Sequence, residues 1–114
     1  QRIVLAGFSQ GGNIALNSAL RYPQPLAGAL ILSSYLGLKD RLAADASPTN
    51  HALPIFMAHG TADDIVPYTL AADSRALLTK LGYQVDWHEY AMPHTVCAQE
   101  VVDIGKWLAS VLTA

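Results

Sequence analysis

Three kinds of side chain, at three separate places in this sequence, could together activate a hydroxyl for attack on an acyl carbon. The first is Ser9, set between Gly7 and Gly11 in the run Gly7-Phe8-Ser9-Gln10-Gly11-Gly12. An apolar run precedes it and a helical pattern follows, so the serine falls on a strand-to-helix turn tight enough to strain its backbone and expose its side chain. Glycines two residues to either side leave room where a Cβ would collide. A helix that begins just after the serine aims free amides and its positive dipole end at the same spot. Such a hydroxyl is inert alone. A base must accept its proton, and an acid must hold that base in the right tautomer. Asp63 and Asp64 are candidates for the acid; His51, His59, His88 and His94 are candidates for the base.

The elements that must position these groups are readable from periodicity. Arg2 to Ala6 is continuously apolar after its first residue and β-branched in part, which predicts a strand buried on both faces. A helix follows from about Gln10, with Ile14, Leu16, Ala19 and Leu20 on its apolar side and Asn13, Asn17 and Arg21 on the other, until Pro23 and Pro25 end it. Ala27 to Ser33 is the second strand. Strand, helix and strand in that order make a right-handed crossover and a parallel sheet. Ser34 to Leu53 breaks the pattern with a long excursion at the carboxyl end of a strand, where α/β folds place binding loops. Within it, Tyr35 and Leu36 are expected to line an acyl pocket.

Pro54 to His59 is the third strand, and Tyr68 to Leu81 a helix with Leu70, Leu77, Leu78 and Leu81 on one side, stopped by Gly82. Gln84 to Tyr90 alternates, with Val85, Trp87 and Glu89 on one face, as a half-exposed edge strand does. A final helix from about Thr95 or Val96 buries Val101, Ile104, Leu108, Val111 and Leu112 and turns Glu100, Asp103 and Lys106 to water. The class is α/β, with four parallel strands alternating with three main helices.

Placement then narrows the candidates. Ser9 follows the first strand, Asp63 and Asp64 the third, and His94 the fourth; the carboxyl ends of parallel strands share one edge of the sheet. Only His94 lies in a post-strand loop facing the serine turn. His51 belongs to a solvated loop, and His88 sits mid-strand facing solvent or a neighbour. His59 ends a strand before Gly60, where it packs or makes a backbone hydrogen bond that shapes the acid's turn. The two aspartates are adjacent and point in different directions, and the one not used as the acid would cap the helix that begins near Pro67.

The totals exclude several classes. Of 114 residues, 52% are hydrophobic and only 14% charged, a dry composition that suits a segment covered on several sides. A net charge of −2 offers no basic patch for nucleic acid. No apolar run reaches the length of a membrane span, so no stable membrane anchoring is expected, and no signal peptide is visible. Cys97 is alone, which forbids an internal disulfide and fits a cytoplasmic location. The chain opens at Gln1 without methionine and enters a strand within two residues, as a fragment boundary would.

Gly-Phe-Ser-Gln-Gly-Gly, His-Gly-Thr-Ala-Asp-Asp-Ile-Val-Pro and Met-Pro-His together resemble the acyl-protein thioesterase, lysophospholipase and carboxylesterase family of α/β hydrolases, and most closely its bacterial carboxylesterases. The resemblance runs along essentially the whole chain, but family members are roughly twice as long, the size of an ordinary single α/β domain. It therefore implies that residues 1–114 are the carboxyl-terminal half of such a domain, without the earlier strands and the loop that supplies a second oxyanion-hole amide. Mapped residue by residue, it implies Ser9 as nucleophile, Asp63 rather than Asp64 as acid, His94 as base and the backbone amide of Gln10 in the oxyanion hole, with no metal or cofactor. The implied activity is hydrolysis of small or medium carboxylic esters through an acyl-enzyme at Ser9. Thioesters, acylated proteins and lysophospholipids are alternative substrates within the same chemistry. Without the first half of the domain, the strand at residues 3–6 is a bare edge. It is expected to pair with a missing half or another copy, and a half-domain acting only by association is the alternative to catalysis.

Overall fold

The computed structural model describes residues 2–113; Gln1, where the sequence opens without methionine, lies outside them. The strands are β1 (Val4–Phe8), β2 (Gly28–Leu32), β3 (Ile55–Gly60) and β4 (Val85–Tyr90). All pair in parallel in the order β1-β2-β3-β4. Between and after them run α1 (Gln10–Arg21), a short α2 (Leu42–Asp45), α3 (Tyr68–Lys80) and α4 (Ala98–Leu112).

Side chains alternate across the sheet, so neighbouring residues of each strand feed different cores. Ile31, Ile55 and Met57 pack with Leu16 and Leu20 of α1 and Leu78 of α3. Leu30, Phe56 and Ala58 turn to the opposite face and meet Trp107 of α4. β3 is buried along its whole length because it has a strand on either side and helices on both faces.

The outer strands differ from it. β4 is half-exposed, as expected of an edge, but it does not strictly alternate: Trp87 and His88 are both half-buried, and Trp87 and Tyr90 pack against opposite cores. β1 is only partly buried, with Phe8 left 41% exposed and Ile3, just ahead of the strand, 53% exposed, which corrects the expectation of a strand buried on both faces. Its apolar composition suits a central strand, but within residues 2–113 it has a neighbour on one side only.

Helix faces are corrected in part as well. Ile14 of α1 is exposed, whereas Asn17 is buried. The reason is polar: Asn17 Nδ2 donates to the carbonyl and side-chain oxygens of Asn13, and its own Oδ1 accepts from Arg21. Asn13 Oδ1 in turn accepts from the amide of Gly37, and Arg21 donates to the carbonyl of Leu38. This ladder fastens the start of the long excursion to one side of α1. The end of the excursion is fastened by Asn50, buried, which accepts from the amide of Leu26 and donates to the carbonyls of Tyr22 and Gln24. In α4, Ile104, Leu108 and Val111 pack against the sheet as expected, around Trp107, but Val101 is exposed and Glu100 fully buried, which corrects those two positions.

Candidate active site

β1 delivers Ser9 to the carboxyl edge of the sheet in a strained conformation, φ 58° and ψ −125°, directly before the first residue of α1. Positive φ in a residue with a side chain costs of order 1–3 kcal/mol and persists only where the surroundings enforce it. Here the Ser9 amide donates to the carbonyl of Leu32 on the neighbouring strand, while the Ser9 carbonyl accepts from Gly12 and Asn13 as the helix begins. The turn closes because Gly7 has no side chain; a Cβ there would fall on the backbone of Gly11. Gly11 itself faces open space, so the expectation of steric need on both sides of the serine holds for Gly7 alone. Gln10, next in the chain, presents the first amide of α1, one of the amides that have no acceptor inside a helix.

Three residues past β3, Asp63 turns its buried carboxylate back toward the sheet edge. Oδ1 accepts from the amides of Ile65 and Val66, at 2.9 and 2.8 Å. Oδ2 accepts from His94 Nδ1 at 2.7 Å. Burial alone would raise the pKa of this carboxyl, but the hydrogen bonds from His94, Val66 and Ile65 outweigh it and hold it below the ordinary range. An ionised carboxylate only accepts, so Nδ1 of His94 carries the proton and Nε2 is the ring's free lone pair. That nitrogen lies 3.0 Å from Ser9 Oγ, the geometry for accepting the hydroxyl proton. Residues 85 and 31 positions apart in sequence are thus joined in one continuous hydrogen-bonded line.

Gly60 lets the two loops meet. A Cβ on it would strike the carbonyls of Met92 and Pro93, immediately ahead of His94. His59, one residue earlier, is buried and donates from Nε2 to the carbonyl of Val66 at 2.7 Å, the backbone hydrogen bond expected to shape the acid's turn.

The other sequence candidates stand apart. Asp64 is exposed, and α3 begins at Tyr68 with Pro67 as its N-cap and no side-chain cap, so the expected capping by an aspartate does not occur there. His51 is exposed against Tyr83, and His88 stacks on Phe56 beside Asp86. Leu36 belongs to the core, with its amide bonded to Ser74 of α3; this corrects its assignment to a pocket wall. Tyr35 beside it is half-buried. Phe8, not among the sequence candidates, also belongs to the site: its ring centroid lies 4.9 Å from that of His94. Its place inside the serine motif was the available signal. Among the described residues no three His, Cys, Asp or Glu side chains converge to hold a metal ion, and no helix is long and apolar enough to cross a membrane.

A family model described as phospholipase/carboxylesterase matches residues 1–112. The chain belongs to that family. Acyl-protein thioesterase 1 of Mycosarcoma maydis is 38% identical over 119 residues, which cover 100% of this chain and 50% of the relative. Acyl-protein thioesterase 1 of Neurospora crassa is 44% identical over 110 residues, covering 94% of this chain and 45% of the relative. Among solved structures, Zea mays acyl-protein thioesterase 2 superposes with a TM-score of 0.87 at 30% identity, over 94% of this chain and 55% of the other. The chain therefore spans about half the length of the phospholipase/carboxylesterase relatives it matches.

Proposed function

We propose that this chain carries the catalytic residues of a serine hydrolase that cleaves carboxylic esters through an acyl-enzyme. The observation that carries the reading is the unbroken line from Asp63 through His94 to Ser9, at 2.7 and 3.0 Å. Ser9 Oγ attacks the acyl carbonyl as His94 Nε2 takes its proton, and Asp63 holds the ring and stabilises the imidazolium that forms. The amide of Gln10 donates to the oxyanion of the tetrahedral intermediate. His94 returns the proton to the leaving alkoxide, and water, activated by the same ring, releases the acid.

The test uses the protein that carries this sequence, assayed with 4-nitrophenyl butyrate and labelled with a fluorophosphonate. Activity and label are expected to fall together in Ser9→Ala, with a loss of about 10⁴–10⁶ in kcat. A folded parent that neither turns over the ester nor takes the label at Ser9 would sink the reading.

A second reading, hydrolysis of acyl thioesters, is favoured by the names of the relatives, acyl-protein thioesterases at 38% and 44% identity. Comparing kcat/KM for an oxyester and a thioester of the same acyl chain decides between them.

A further inference from the structure

Ser33 and Ser34 stand side by side just past β2, between the strand that delivers Ser9 and the strand whose loop carries Asp63. Both are buried, 0% and 1% exposed. Ser33 adopts a left-handed backbone, φ 51°, with its amide donating to the carbonyl of Ala58 on β3 at 2.8 Å. Glycine would take that conformation without strain; what serine adds there is a hydroxyl. That hydroxyl donates to the carbonyl of Thr95, the residue after His94, at 3.3 Å. Ser34 reaches the other way. Its Oγ donates to the carbonyl of Ser9 at 2.6 Å, beside Gly12, where a Cβ would come within 2.6 Å of the Ser34 Cβ. Since the amide of Ser9 is held by the Leu32 carbonyl, residues 32–34 grip the backbone of Ser9 at both ends and the loop of His94 at its exit.

We propose that Ser33 and Ser34 are paired positioning residues, a two-sided clamp that sets the separation of Ser9 from His94. Neither touches the reacting atoms. The proposal rests on the reading above, in which those two side chains exchange a proton. A misplacement of an ångström in such a pair is enough to cost about a hundredfold in rate.

The test compares Ser33→Gly, which keeps the backbone conformation without strain, Ser33→Ala, which keeps the Cβ, and Ser34→Ala. All are made in the protein that carries this sequence, with the folded fraction measured by thermal melting. Each variant is expected to lose about tenfold in kcat per folded molecule at unchanged KM, and to slow in fluorophosphonate labelling to the same extent. A packing role alone would lower the folded fraction and leave both rates. The proton NMR resonance of the His94 Nδ1–H is followed in parallel. It is expected to broaden or move in both Ser33 variants and to persist in Ser34→Ala, whose clamp acts on the serine side.

If the parent is active and all three variants keep its kcat and labelling rate within about twofold, the clamp is overturned and the hydrolase reading stands. If the parent is inert, the hydrolase reading fails, and the resonance decides for the clamp: unchanged in both Ser33 variants overturns it, broadened or moved sustains it.

Discussion

His59 Nε2 lies 3.4 Å from Asp63 Oδ2, the same carboxylate oxygen that His94 binds at 2.7 Å. Its stronger bond is to the carbonyl of Val66, so it braces the turn that also supplies two amides to Asp63 Oδ1. Asp63 is thereby held through both oxygens, one by its own loop and one by His94. Asp63→Asn keeps an oxygen for the amides of Ile65 and Val66 but no longer demands a proton on Nδ1 of His94. The expected result is a fall of about 10⁴ in kcat with little change in melting temperature, measured by ester turnover beside a thermal melt.

Gly60 sets how closely the loop after β4 approaches the end of β3. Gly60→Ala drives a methyl into the carbonyls of Met92 and Pro93. It is expected to destabilise the fold by about 1–3 kcal/mol in urea titration and to lower fluorophosphonate labelling of the molecules that remain folded.

Asn50 bonds to backbone groups of residues 22, 24 and 26 from a buried position. Asn50→Ala leaves an amide and two carbonyls without their partner. Unsatisfied buried groups cost about 1–3 kcal/mol each, softened where water enters, so a loss of about 2–3 kcal/mol is expected by chemical denaturation. Labelling of Ser9 in the folded fraction is expected to stay near the parent's, since the contacts of Asn50 lie beyond the end of α1 opposite the serine turn.

Glu100 supplies a pH test. It is fully buried; Oε1 accepts from the amide of Cys97 and Oε2 has no partner among the described residues. Burial pushes its carboxyl above the ordinary value of 4.5, and Asp103 nearby adds to the rise. A carboxyl raised in the folded state contributes stability below its unfolded value and loses it as pH climbs through the folded one. Glu100→Gln has no such loss. The melting temperature of the variant relative to the parent is therefore expected to rise as pH goes from 4 to 8, and a flat or falling difference contradicts the account.

The convergence of Ser9, His94 and one of the pair Asp63 and Asp64 on one sheet edge is readable in the sequence because each follows its own strand and parallel strands end together; the choice of Asp63 rests on the family resemblance. The strand-helix alternation that fixes this is a property of local pattern, and it needs no knowledge of packing. What pattern does not carry is the identity of polar groups that tertiary structure pulls inside. Asn17 and Glu100 read as solvent-facing because their partners, Asn13 with Gly37 beyond it and the amide of Cys97, become visible only once loops and caps are in place. Ile14 and Val101 err in the opposite sense: apolar periodicity marks a face without saying whether residues 2–113 supply something to cover it. Leu36 reads as pocket lining because loop residues after a strand so often are, yet Ser74 draws its backbone into the core.

β3 pairs on both edges and is buried on both faces, which makes it a ruler as much as a wall. One residue added to it would carry Asp63 about 3.3 Å farther along the strand direction and exchange the two cores that Phe56 and Met57 now serve. Insertions in the exposed turn around Lys39–Arg41 are expected to disturb neither quantity. The tolerance of this chain to changes in length is therefore expected to be uneven, greater at the exposed turn of Lys39–Arg41 than in the six residues of β3 that set where Asp63 falls relative to His94.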